Sequence, residues 1–222
     1  PKFVDAATYA EAINEARGYE GLSARYAPEE VDAFRNGATG GGASRMYPYL
    51  YPNVNWMDET FKDTGISNKY TIEFSGGGDK FRYYTMLGLL TDKGFVKSPN
   101  ENDGYSTQNK YSRANLRTNL DIDLTSTTKL KLNLLGSLSE SSRPGTSSTD
   151  LWDMVYSIPS AAFPILSDDG SWGGSSTWSG TMNPVAQSQG AAYSKGHTRS
   201  LLADLTLSQD LSGLVKGLGV SF

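Results

Sequence analysis

The single histidine, His197, stands in the run "GHTRS" of a chain with no cysteine and no second histidine. A zinc site needs several nitrogen or sulfur ligands, and none is at hand. His197 therefore reads as an ordinary surface residue at the start of a strand. Two carboxylate pairs, Asp168 with Asp169 and Asp121 with Asp123, have the residue types for acid–base work on a glycosidic bond. The first pair falls in the turn-like "SDDGSW", and the second alternates along one face of an extended run, where it would solvate a wet surface. Gly40 to Gly42 lacks the lysine and the preceding strand of a phosphate loop. "NENDG" at 100–104 has oxygen donors suited to calcium, but its glycine is out of step and no closing Glu follows. The expectation is no catalytic residue, no metal, no cofactor and no enzyme activity.

Binding chemistry is better represented. Trp152, Tyr156, Trp172, Trp178 and Tyr193 lie in a long stretch, 142–198, that is rich in Ser, Thr and Gly. Aromatic faces stack on apolar surfaces while hydroxyls and amides supply replaceable hydrogen bonds, a combination suited to sugar or peptide capture. Together with Trp56 they are the candidate ligand- or partner-binding residues. The alternative is that these rings pack a small core of the loop itself or dock a partner.

The elements that must hold them follow from composition and periodicity. The chain has 222 residues, a net charge of -4, thirteen tyrosines and 24 glycines. That balance favours β structure with long wet loops, and the absence of a clustered basic surface argues against nucleic acid as a partner. Without cysteine there is no disulfide framework. No apolar run reaches the roughly 18–20 residues of a spanning helix, so any membrane must be crossed by strands. Nothing at Pro1 resembles a signal peptide, and the finish at Phe222 falls inside a strand pattern, which gives the expectation of an excerpt from a longer chain.

Residues 1–67 read as helical and irregular. Ala6, Tyr9, Ala10, Ile13 and Ala16 have helical spacing, with Gly18 as the expected cap. Pro28, Glu29 and Glu30 open a second helix that Gly37 would close, and an ordered loop rich in glycine and aromatic residues follows. From 68 onward strands dominate, about seven in all. In 70–75, Tyr70, Ile72 and Phe74 share one face; in 81–90, Phe81, Tyr83, Thr85, Leu87 and Leu89 do so. Leu116, Leu120, Ile122 and Leu124 alternate with Arg117, Asn119, Asp121 and Asp123, and 129–139, 199–209 and 214–222 continue the theme. Thr149 to Ser157 reads as a short helix capped by Ser148 or Thr149 and ended before Pro159. Connections at 76–79, 125–128 and 210–216 are short, whereas 1–67, 97–109 and 142–198 are long. This alternation is the signature of outer-membrane barrels, which have short periplasmic turns and long external loops. Tyr70, Phe81, Tyr105 and Tyr111 are candidates for an interfacial girdle or for edge packing.

The run "YPNVNW" at 51–56 supplies Pro52, Asn53 and Trp56. It is followed by Ser75, Gly76 and Gly77; by Tyr83, Tyr84 and Gly88, with Gly94 after; and by Arg113, Asn115, Arg117, Asn119, Leu120 and Asp121. With "FVDAATYAEAINEA", "DDGSW" and Asn183–Pro184, these residues resemble the start of the barrel in SusC-like, TonB-dependent outer-membrane transporters. Asn55 stands where that family often has Asp, and Gly78 lengthens a turn. The resemblance implies a Gram-negative outer-membrane barrel with an N-terminal plug, driven through TonB. It also implies a SusD-like surface lipoprotein that hands over oligosaccharides or peptides.

The expected fold is therefore all-β: a portion of a transmembrane antiparallel up-and-down β-barrel with long, partly helical extracellular loops. Residues 1–67 would be a helical, irregular extracellular region. Residues 68–222 would be barrel strands, with a long external loop at about 142–198. The face led by Ile72, Leu87, Leu120 and Leu132 would meet the lipid bilayer; Glu73, Arg82, Asn119 and Lys131 would meet water or the plug. The competing readings are a soluble β-rich glycan-binding module and a glycoside-active enzyme using loop acids.

Overall fold

The computed structural model describes residues 2–36, 49–102, 104–190 and 192–222. The expectations for Gly37, for Gly40 to Gly42 and for the first part of the glycine-rich loop fall outside the described residues, as does Asp103 of the calcium-like run. The chain forms two compact units. The first comprises Pro1–Thr64, Phe95–Asn109 and Arg143–Ser194; the second comprises Gly65–Gly94, Lys110–Ser142 and Lys195–Phe222.

The second unit is an antiparallel meander. Its strands are β1 (Ile66–Gly77), β2 (Phe81–Lys93), β5 (Lys110–Asp123), β6 (Thr128–Pro144), β7 (Tyr193–Asp210) and β8 (Gly219–Ser221), hydrogen-bonded in the order β1-β2-β5-β6-β7-β8. Two short strands, β3 (Glu101–Asn102) and β4 (Tyr105–Ser106), form a separate hairpin. The long strands run well past the alternating cores seen in the sequence, because ladder hydrogen bonds continue where the side-chain pattern turns polar. This is the all-β, up-and-down architecture of a portion of a barrel, and no described helix is long and apolar enough to span a membrane.

Register converts the period of two into continuous faces. Ile72, Leu87, Leu116 and Gly136 lie side by side across four strands, as do Phe74, Thr85, Thr118 and Leu134. Thr85 and Thr118 hydrogen-bond through their hydroxyls at 3.3 Å. Leu201 of β7 lies about as close to Gly136 as Leu116 does, which places Leu201, Leu205 and Leu207 on the same face. On the opposite face Glu73 pairs with Met86 and Met86 with Arg117, while Asn119 pairs with Asn133. From Ala114 to Ile122 the leucine face spans about 27 Å along the strand, or roughly 20 Å in height at a tilt of about 40°.

This sheet has no core of its own: every buried hydrophobic residue among those described belongs to the first unit. Leu201 is 76% exposed and Leu205 63%. Tyr70 and Phe81 share the leucine face, Phe81 stacking on Tyr83 at 6.3 Å. Tyr111 instead alternates onto the Arg113 side, and Tyr105 lies in the hairpin, so neither joins an apolar rim.

Two further expectations are corrected. Helix α1 (Ala6–Tyr19) passes Gly18 and stops at Gly21, whose φ of +72° is the left-handed turn that lets the Leu22 N–H reach the Arg17 carbonyl at 2.9 Å. The last strand is only three residues long. Residues 211–218 form a turn in which Leu214 and Val215 donate to the Leu211 carbonyl, and Gly217 at φ +80° returns the chain to the sheet.

The first unit buries two clusters. Ala6, Ala7 and Ala10 of α1 pack on Val31 and Phe34 of α2 (Pro28–Asn36). Trp56 of α3 (Trp56–Thr60) and Phe61 pack with Leu151, Val155 and Ile158 of α4 (Ser148–Ser157) and its C-terminal end, and with Val185 of α5 (Pro184–Gln189). The cap of α4 is Ser147, whose hydroxyl accepts from the Asp150 N–H at 3.1 Å, one residue earlier than expected.

Candidate binding surfaces

Asparagines organise the first unit, because each offers an acceptor and two donors to backbone that cannot pair with itself. Asn53 accepts from the Ala6 N–H at 3.0 Å, an orphan donor in the first turn of α1. Asn183 is fully buried and makes four bonds. It accepts from Val185 and Ala186 at 3.1 and 3.2 Å and donates to the carbonyls of Ile165 and Gly173 at 3.0 and 3.1 Å. One side chain thus caps α5 and ties it to two segments of the long loop. Asp5 caps α1, and hydrogen bonds from Thr8, backbone first, hold its carboxyl below the usual carboxylate range. The Ser171 hydroxyl and then its N–H do the same for Asp169, whose turn closes on itself.

The aromatic candidates separate in this frame. Trp56 is core: it is 2% exposed, its ring lies 4.9 Å from Phe163, and its Nε1–H donates to the Pro159 carbonyl at 3.2 Å. Trp178 packs against the same cluster. Tyr193 stacks on Tyr105 at 4.4 Å. Trp152 and Tyr156 belong to a row of rings: Phe61 stacks on Trp152 at 4.4 Å, Trp152 on Tyr156 at 5.9 Å, and Tyr156 meets Phe3 at 5.5 Å. Trp152 thus contacts two neighbouring rings, and it is 37% exposed. Tyr156, 54% exposed, presents the more accessible surface, and Trp172, 40% exposed, borders Gly190.

Tyr156 also edges a groove of about 220 Å³ that it lines with Phe3, Tyr9, Trp56 and Pro159. Burial, with a smaller contribution from Tyr26, raises the Tyr9 hydroxyl above its ordinary value against the pull of Arg25. The groove is therefore mainly apolar, with uncharged hydroxyl-bearing residues such as Tyr9, Tyr156 and Ser160 in its lining, a surface that suits a ring or a side chain rather than an ion. Phe3, Phe61 and Tyr9 are the members that sequence reasoning missed. They lie far from Tyr156 and Trp152 in the chain, and no local pattern links them.

In the sheet unit, the polar face carries a depression of about 540 Å³ bordered by Arg117, Asn119, Asn133, Leu135, Leu202 and Asp204. Mixed charge and amides suit a hydrated surface. His197 is exposed in β7, and no group of three or more His, Asp or Glu converges among the described residues.

No family model matches the chain. A stretch of 84 residues is 31% identical to TonB-dependent receptor P3 of Formosa agariphila. That stretch is 38% of this chain and 7% of the receptor's length, so the chain spans a small part of the relative to which it is similar.

Proposed function

We propose that this chain is part of a transmembrane barrel that imports nutrients across the Gram-negative outer membrane, powered through TonB, with a SusD-like lipoprotein delivering oligosaccharides or peptides. One observation carries the reading. A six-stranded antiparallel meander presents a leucine face on which Leu201 and Leu205 are exposed, while all the described buried hydrophobics lie in the other unit. In water such a face is unfavourable by about 25 cal/mol for each Å² of apolar surface left wet, whereas in hydrocarbon it is at home. A soluble glycan-binding module would have to cover it. The similarity to a TonB-dependent receptor points the same way.

In this reading residues 1–67 form an external region. Residues 68–222 supply barrel strands, with the loop near 142–198 bearing the aromatic surface. Tyr156, Trp172 and Trp152 offer ring surface to substrate or partner, with Trp178, Tyr193 and Trp56 as the remaining aromatic candidates. The polar face, with Glu73, Arg117, Asn119 and Asp204, lines the wet side. No step makes or breaks a covalent bond: binding outside and energy from the periplasmic side move the cargo. The test is fractionation of the full chain in a Gram-negative host. Outer-membrane recovery, heat-modifiable mobility and oligosaccharide or peptide uptake that stops when TonB is removed are expected. Recovery as a soluble, detergent-independent protein would refute it.

A further inference from the structure

Charge is distributed unevenly along the leucine face. At the end from which the long connections leave, Lys93 and Lys110 are direct cross-strand partners and both are exposed. Like charges placed directly opposite destabilise a sheet unless an anion lies between them. On β7, Lys195, His197 and Arg199 occupy alternate positions on the side that carries Leu201, and all three are exposed. Lys195 lies 4.0 Å from Glu140, which alternates with Leu138 on the same face. At the short-turn end this face carries Phe81, Ile122, Leu130 and Leu207 and no lysine or arginine among the described strand residues. A chain with a net charge of -4 thus gathers cations on one rim of one face. Directly inside that rim is a groove of about 230 Å³, lined by the apolar Tyr70, Leu89, Ala114 and Leu138 together with the polar Ser112, Arg113 and Glu140.

From this pairing of a cationic rim with an apolar groove, we infer that the site holds a phosphate-bearing lipid of the leaflet on the long-loop side. The headgroup lies among Lys93, Lys110 and Lys195, Arg199 flanks it about 13 Å further along β7, and an acyl chain lies over Tyr70, Leu89 and Leu138. The inference rests on the membrane reading given above. A rim of cations at the boundary between hydrocarbon and headgroups attracts anionic lipid, and the groove supplies the apolar contact that a free anion could not use.

The test measures retention of dioleoyl phosphatidic acid against dioleoyl phosphatidylcholine by the detergent-purified full chain, and its insertion into vesicles of either composition. Preferential retention of phosphatidic acid is expected, falling more than about tenfold in the K93S/K110S/K195S/R199S variant. K69S, which removes a cation from the opposite face and lies outside the groove, should keep the preference. Should the fourfold variant fail to fold, K93S/K110S reads the same loss, and K93R/K110R/K195R should retain binding. Equal retention of the two lipids, equal loss in both sets of variants, or full competition by inorganic phosphate would overturn the inference. Insertion into neutral vesicles without headgroup preference would overturn this inference alone; failure to insert at all would overturn the membrane reading with it.

Discussion

Leu134 and Leu135 are adjacent, identical in type and at the same depth in β6, yet they face opposite ways. Leu134 pairs with Thr118 on the leucine face, and Leu135 pairs with Arg117 on the polar face. An arginine at each position therefore asks which side meets hydrocarbon. Leu134 is the midpoint of the run Leu130–Leu138, about 14 Å along the strand from either limit and roughly 10 Å in height after tilt. That is too deep for a guanidinium to reach the interface. Leu134→Arg should cost about 2–4 kcal/mol, the range for a cation near the midplane of a lipid-facing barrel strand. Leu135→Arg enters a wet depression and meets the like charge of Arg117, a cost of about 0.2–1 kcal/mol. A gap of at least about 1 kcal/mol should separate them. The assay is reversible denaturant unfolding of the full chain folded into phosphatidylcholine vesicles, comparing midpoints at constant slope. Equal costs, or a larger cost for Leu135→Arg, would refute the assignment of faces.

Asn183→Leu removes four hydrogen bonds and leaves two buried carbonyls and two N–H groups without their partner. A loss of about 3–5 kcal/mol in the first unit is expected, read as earlier protease cleavage in 159–182, and an unchanged cleavage profile would count against the capping role. Asp5 has a lowered carboxyl, so its stabilisation of α1 is complete above the ordinary value of 3.8 and is lost as pH falls through the lower folded value. Protection against hydrogen exchange in α1, corrected for the intrinsic amide rate, should fall on acidification below that point, and Asp5→Asn should weaken this dependence; identical pH profiles would exclude the carboxylate.

The alternation of side chains was enough to read the two faces, because a strand has only two sides and a period of two assigns each residue to one of them. Ile72, Leu87, Leu120 and Leu132 could be grouped from text, and the alternation of long and short connections pointed to a meander. The helix around Leu151 was legible for a similar reason: caps and the following proline act within a few residues. Trp56, named as a binding candidate, packs in the core, and text could not show this because its partners, Phe163 and the Pro159 carbonyl, come from remote segments. Gly18 was mistaken for a stop because the left-handed turn depends on a backbone angle rather than on residue type alone.

The sequence by itself determined the strands and their two-sided character, since these follow from local spacing and residue type. Only the tertiary structure decided which positions stand side by side. Register brought Lys93 against Lys110, folding placed Phe61 on Trp152, and Asn183 came to join three segments. Those outcomes depend on how distant stretches of chain pack and pair, a non-local choice that no window of the sequence contains.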